Sequence, residues 1–139
     1  MILITGAAGF LGSGLVWYLN GQGHHDLVLV DELGTGEKFR NLAGLRFCDY
    51  LEREELLERI VNNRGLPSLQ AVIHLGACSA TTEDDGSYLM RNNFGYTRAL
   101  AEWCCSAECG SSMHRVLLPT ATVRWAMRMM KRWFRGYAR

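Results

Sequence analysis

The chain has 139 residues, of which 48% are hydrophobic and 21% charged, and carries a formal net charge of +1. That is the composition of one modest globular domain, and it argues against a disordered, collagen-like or disulfide-scaffolded chain. No apolar run is long enough to cross a bilayer and no basic segment precedes the first apolar residues, so the sequence reads as that of a cytoplasmic protein with neither secretory signal nor membrane contact.

The first element is Ile2-Leu3-Ile4, short, apolar and partly β-branched, which suits a buried parallel strand. Leu11, Leu15, Val16 and Leu19 then recur at helical spacing. The turn between strand and helix carries Gly6, Gly9 and Gly12. In a strand-to-helix turn these have separate tasks. Gly6 permits the tight turn, Gly9 lets backbone approach a pyrophosphate, and Gly12 lets the helix pack close to the strand, with the helix N-terminus facing the anion. Asn20-Gly21-Gln22-Gly23 stops the helix, and Leu27-Val28-Leu29-Val30 forms a second strand ending in Asp31, 19 residues beyond Gly12. An acid about 20 residues past the glycines is where the adenosine ribose of a bound dinucleotide is expected.

Leu45 to Asp49 reads as a third strand, and Leu56, Leu57, Ile60 and Val61 give the apolar stripe of a charged helix ending near Gly65 and Pro67. Ala71 to Leu75 is a fourth strand. A long helical segment follows, roughly Asp84 to Cys104, with Leu89, Tyr96, Leu100 and Trp103 as core contacts and Thr81, Thr82 and Asp85 as an N-cap cluster. This alternation predicts an α/β, Rossmann-like parallel sheet with helices on both faces and ligands at the carboxyl ends of the strands. Cys48, Cys78, Cys104, Cys105 and Cys109 are an odd number without metal spacing and read as reduced thiols; the four histidines are scattered too, so no metal site is expected.

The segments ITGAAGFLGS, VDELGTGEKFRNL and, above all, HLGACSATTEDDGSYLMRNNFGYTRAL resemble the bacterial ADP-L-glycero-D-manno-heptose 6-epimerases. These are extended short-chain dehydrogenases/reductases of lipopolysaccharide core synthesis. The resemblance covers residues 1 to about 104, and the alternative it leaves open is another nucleotide-sugar epimerase or dehydratase of the same fold. It implies that Phe10 and Leu11 touch the cofactor at the glycine turn and that Asp31 and Glu32 hold the adenosine ribose. It also implies that Lys38 and Arg53 face the cofactor, the bland alternative for both being solvated surface charge. Where the family usually has asparagine this chain has Glu32, which disfavours a 2′-phosphate, whereas Lys38 would attract one; the balance leans to NADP with NAD close behind. Leu75, Gly76, Ala77, Cys78 and Ser79 match the family's cofactor loop, where Cys78 is a small filler rather than a nucleophile, and Asn92 matches a cofactor-contacting position. The implied substrate is a nucleotide sugar (ADP-heptose), the implied intact enzyme a homo-oligomer without nucleic-acid partners, and the implied chemistry an oxidation at C6 of the heptose followed by reduction from the opposite face.

That chemistry needs a tyrosine acid/base with a lysine four residues on, and the tyrosines at 18, 50, 88, 96 and 137 have no such lysine. Charge marks where the sequence changes character. Residues 1 to 104 carry 8 Lys+Arg against 13 Asp+Glu, and residues 105 to 139 carry 7 against 1. A basic amphipathic segment is one account of this tail. A shifted reading frame is the better one: from Cys105 the shifted codons permit Leu-Leu-Arg-Gly-Val-Arg, and through Pro119 to Trp133 they permit Tyr-Gly-Asp-Gly-Ala followed by acidic residues, as in the family's continuation. The expectation is a Rossmann domain truncated after about the fourth strand and its helix, with 105–139 a non-native basic tail, marginally stable and without catalysis. A gene that keeps one open frame with no shifted homology would overturn it.

Overall fold

The computed structural model describes residues 1–62, 64, 66, 69–78, 80, 82–105 and, as backbone, 115–117. Strand β1 is Ile2–Thr5, followed by helix α1, Phe10–Gly21, and strand β2, Leu27–Asp31. A 3-10 turn at Glu37–Leu42 leads to β3, Asp49–Glu52, then α2, Arg53–Val61, and β4, Ala71–His74. Helix α3, Gly86–Leu89, runs through a π turn at Met90–Gly95 into α4, Tyr96–Cys105, and β5 is Arg115–Leu117.

All pairings are parallel, in the order β3-β2-β1-β4-β5. The four residues of β1 pair on one side with Leu27 to Val30 and on the other with Ala71 to His74. Strand order therefore reverses beside β1. β1 and β2 are apolar on both faces because both faces are covered. On one face Leu3, Val28, Val30 and Val72 pack with Leu56 and Ile60 of α2 and with Tyr96, Leu100 and Trp103 of α4. On the other, Ile4, Leu27, Leu29 and Ile73 pack with Leu15 and Val16 of α1. Alternation along each strand, two residues per repeat, divides the apolar side chains between these layers.

Three boundaries differ from the sequence-based expectation. The third strand is Asp49–Glu52, not Leu45 to Asp49. Gly44 takes a positive φ of 77° and Leu45 to Cys48 form the approach, with Cys48 N donating to Leu27 O at 2.9 Å before the ladder begins. An edge strand buries only one side chain here, Leu51, so its sequence lacks an apolar run. The long helix starts at Gly86 rather than Asp84 and is broken by the π turn. Of the expected cap cluster, Asp85 performs the role, its Oδ1 accepting from Tyr88 N at 3.0 Å; Thr82 is exposed and uncapping, and Thr81 lies outside the described residues. Leu89 is half-buried rather than a core residue. The sheet also extends one strand further than expected. β5 pairs Ala71 with Arg115 through Ile73 with Leu117, inside the segment assigned to the basic tail, and occupies the edge that β4 would otherwise leave open.

Candidate functional site

The carboxyl ends of β1, β2 and β4 open onto a cleft of about 690 Å³, at the place where strand order reverses. In open parallel sheets that crevice is where ligands bind. The turn from β1 into α1 forms its floor, and its three glycines are not equivalent. Gly6 has φ +68°, and a Cβ there would lie 2.6 Å from the Leu75 carbonyl carbon and oxygen. A Cβ at Gly12 would lie 2.0 Å from Gly6 O. The fold itself demands both glycines. Gly9 has an ordinary extended backbone, φ −72° and ψ 169°, and its nearest obstacle to a Cβ is Gly6 O at 3.2 Å. Gly9 caps α1 with no side-chain hydrogen bond, and the first turn of α1 holds no acidic residue. Since Ser13 N is the donor that closes the first helical hydrogen bond, on Gly9 O at 2.9 Å, the amides of Phe10, Leu11 and Gly12 are the ones left for an anion.

Asp31, at the end of β2, is buried and surrounded by donors. Its Oδ2 accepts from Ala8 N at 2.7 Å, and its Oδ1 accepts from Glu32 N at 2.7 Å and from the Lys38 ammonium. The glycine turn is held from the other side by Asn41 Nδ2, which donates to Ala8 O at 2.8 Å. Arg53, the first residue of α2, spans the rim. Its guanidinium pairs with Glu32 at 3.1 Å and with Glu54, and donates to Asn92 Oδ1.

The loop after β4 is fixed by a chain of side-chain hydrogen bonds. Thr97 Oγ1 donates to Asn93 O, so it receives the proton of His74 Nε2, at 2.8 Å. His74 Nδ1 is then the acceptor for Thr5 Oγ1, at 2.6 Å, whose lone pairs face the amides of Leu75 and Gly76 at 3.2 and 3.3 Å. One tautomer of neutral imidazole satisfies every member. Asn93 completes the clamp, its Oδ1 accepting from Cys78 N at 2.7 Å and its Nδ2 donating to Cys78 O at 3.0 Å.

Burial holds the His74 pKa below its ordinary value. The unfolded chain therefore binds this proton more readily, and His74 contributes full stability above about pH 6.5, losing it as pH falls from there toward the folded pKa, at up to ~1.4 kcal/mol per pH unit. Urea denaturation should give a lower unfolding free energy at pH 5.5 than at pH 7.5 in the wild-type chain, and a flatter dependence in His74→Asn. Equal wild-type stability at the two pH values would refute the assignment.

The residues singled out from sequence come together. Gly6, Gly9, Phe10, Leu11, Gly12, Asp31, Glu32, Lys38, Arg53, Leu75, Gly76, Ala77, Cys78 and Asn92 all line the cleft, Phe10 standing exposed at its rim; Ser79 lies outside the described residues. Thr5, Val30, Gly34, Tyr88 and Tyr96 line it too and were missed, as was the bracing by Asn41, His74, Asn93 and Thr97. The position of Thr5 at the strand end, one residue before the first glycine, was an available signal. The others are contacts between elements distant in sequence and left none.

The arrangement fits a dinucleotide. The glycine floor admits a phosphate against backbone, Asp31 is an acceptor where a ribose hydroxyl would sit, and the Tyr96 hydroxyl is buried at the cleft with no hydrogen-bond partner among the described residues. Burial also raises the pKa of that hydroxyl, which keeps it a donor. Among the described residues no three His, Cys, Asp or Glu side chains are grouped to hold a metal, and no helix is long and apolar enough to cross a membrane.

Comparison with known proteins agrees with this fold. The sequence pattern of the NAD dependent epimerase/dehydratase family matches residues 2–122. Over 104 residues, 75% of the chain, the sequence is 53% identical to an ADP-L-glycero-D-manno-heptose-6-epimerase of Alkalilimnicola ehrlichii. It is 46% identical over the same length to one of Nitratidesulfovibrio vulgaris. The aligned part is 32% of either relative, so the chain spans about a third of the length of the curated relatives it matches. Among solved structures, the Bordetella bronchiseptica enzyme WbmG in complex with NAD and UDP superimposes with a TM-score of 0.58 at 28% identity, over 74% of this chain and 33% of that one. The UDP-glucose 4-epimerase of Thermotoga maritima with UDP-glucose gives a TM-score of 0.57 at 30% identity, over 73% of this chain and 33% of that one.

Proposed function

Since the chain belongs to the NAD dependent epimerase/dehydratase family, we propose that it is the dinucleotide-binding part of a nucleotide-sugar epimerase that inverts C6 of ADP-glycero-manno-heptose in lipopolysaccharide core synthesis. The names of the relatives at 53% and 46% identity support that substrate, and the cofactor it takes is NAD or NADP. When bound, the nicotinamide supplies a hydride acceptor that later returns the hydride. The chain's own residues bind and orient. The amides opening α1 face the pyrophosphate, Asp31 accepts from the adenosine ribose, and Leu75 to Cys78, clamped by Asn93 and Thr5, form the wall for the nicotinamide half.

We further propose that this chain alone does not turn over. None of its tyrosines is followed four residues later by lysine, and the rest of the sugar-nucleotide site would come from the two thirds of the relatives' length that it does not span. We propose as well that residues 105–139 are the product of a shifted frame, for which the reversal of charge at residue 105 speaks, that the protein works in the cytoplasm and that the intact assembly is a homo-oligomer. Conversion of ADP-heptose by the purified 139-residue chain would overturn the proposal that it does not turn over.

Gly9 carries the binding proposal. Of the three turn glycines it is the one the fold constrains least, a Cβ there meeting Gly6 O at 3.2 Å, and it stands where backbone meets the cleft. Gly9→Ala should keep its urea midpoint close to wild type, a cost under about 1 kcal/mol, while weakening NAD by at least tenfold, about 1.4 kcal/mol of binding. Calorimetric titration checks it. An alanine variant that binds NAD as tightly as wild type would remove the reason for the glycine.

A further inference from the structure

Two consecutive asparagines in the π turn take different tasks. Asn92 lines the cleft, and Asn93 stands behind it. Resting on the proposal that Leu75 to Cys78 form the wall for the nicotinamide half, we infer that Asn93 is the positioning residue of that wall, gripping the loop at both of its ends. At the near end the grip is indirect. Asn93 O accepts from Thr97 Oγ1, which receives the His74 Nε2 proton, and through Thr5 Oγ1 the same line reaches the amides of Leu75 and Gly76 at 3.2 and 3.3 Å. At the far end it is direct, Asn93 Oδ1 accepting from Cys78 N at 2.7 Å and Nδ2 donating to Cys78 O at 3.0 Å. Ala77, which lines the cleft, is strung between the two anchors.

The Asn93 amide fits this role in one orientation, and its neighbours dictate which. Arg53 can only donate, so Asn92 turns Oδ1 to the guanidinium and Nδ2 to Asn93 Oδ1, at 2.9 Å. Cys78 N, at the other end of the run, can only donate as well. Reversing either amide would set donor against donor, so Asn93 is left with its oxygen on Cys78 N and its NH2 on Cys78 O. The π turn lets neighbouring residues share this work. An α-helix turns successive side chains apart by about 100°, and the wider turn at Met90–Gly95 brings Asn92 and Asn93 closer together around the axis. Asn93 and Cys78 are only partly buried, so water can replace the bonds if the side chain is removed, and the loss falls on the order of the loop rather than on the fold. A wall fixed before the ligand arrives spares the nicotinamide half that ordering cost.

Calorimetric titration of the 139-residue chain with NAD and with ADP-ribose tests this, because ADP-ribose has the adenosine, both phosphates and the second ribose but no nicotinamide ring. Wild-type chain should bind NAD at least about tenfold tighter than ADP-ribose. Asn93→Ala should remove about that tenfold and keep ADP-ribose affinity within about twofold of wild type. Asn93→Asp keeps an acceptor for Cys78 N but sets an oxygen against Cys78 O, and it should lose the same advantage. Phe94→Ala, at an exposed position of the same π turn, should leave both affinities at wild type. Selective loss of NAD in either Asn93 variant supports the inference. Loss of both ligands together in both variants would mean that Asn93 serves the fold alone and overturns it, as does an NAD-to-ADP-ribose ratio that neither variant moves. Equal binding of NAD and ADP-ribose by the wild-type chain removes the nicotinamide wall itself, and binding of neither overturns the dinucleotide proposal, so each failure is told from the others.

Discussion

Gly12→Ala should leave the chain without a stable fold. The methyl group would be built 2.0 Å from Gly6 O and 2.7 Å from Ala7 Cα. Both are backbone atoms of the turn that joins β1 to α1, so no side chain can swing aside. Relief requires α1 to lift from the sheet, and with it Leu15 and Val16, which pack on Ile4, Leu29 and Ile73. Overpacking against backbone together with loss of that layer should cost more than about 4 kcal/mol, against a total stability of about 5–15 kcal/mol for an ordinary domain. Gly21→Ala is the control. It ends the same helix with nothing within 4 Å of the added methyl, and alanine there should be neutral or stabilising by up to ~1 kcal/mol. Far-UV circular dichroism during urea titration separates the two. A Gly12→Ala chain that unfolds at the wild-type midpoint would mean that the helix is not seated as described.

Asp31→Asn should be nearly as damaging to binding, although it changes a single atom type. Every partner of the Asp31 carboxylate is a donor: Ala8 N, Glu32 N and the Lys38 ammonium. An amide offers one accepting oxygen and turns two protons toward whichever side it does not satisfy. Either the glycine turn loses its tie to β2 through Ala8, or the Glu32 amide and Lys38 face an NH2 group. Lys38 is partly exposed and can turn to water, which limits the stability cost to about 1–3 kcal/mol. The ribose meets the same defect, and NAD affinity should fall by about a hundredfold, or 2.7 kcal/mol. Asp31→Asn that matches wild type in both calorimetry and urea denaturation would place the ribose elsewhere.

How much of this was legible in the sequence depends on how far apart the partners stand along the chain. β1, α1 and β2 follow from a local pattern, because two buried strands must be apolar throughout and the turn between strand and helix must be glycine where Gly6 and Gly12 meet backbone. Asp31 followed from the same local spacing, whereas Glu32, Lys38, Arg53, the loop after β4 and Asn92 came from the family resemblance. β3 was misplaced because an edge strand needs only one buried side chain, Leu51, and such a strand leaves no period to detect. The π turn at Met90–Gly95 was invisible for a related reason. One extra residue per turn serves Asn92 and Asn93, which reach Arg53 and Cys78 respectively, and neither partner lies near them in sequence. The buried line from Thr5 through His74 to Thr97 joins β1, β4 and α4, so only the assembled sheet brings it together.

The glycine floor also decides how this site would answer a mutational survey. Truncation to alanine is the usual probe of a binding surface, and it assumes that recognition resides in atoms that can be taken away. At Gly6, Gly9, Gly12 and Gly76 alanine is an enlargement, and at Ala77 it is the starting residue. A truncation scan would therefore be silent at Ala77 and would report steric blockage at the four glycines. A map in which contacts are graded by what their removal costs would show a ring of charged residues around an apparent gap, and the gap is where the ligand would lie closest to the chain.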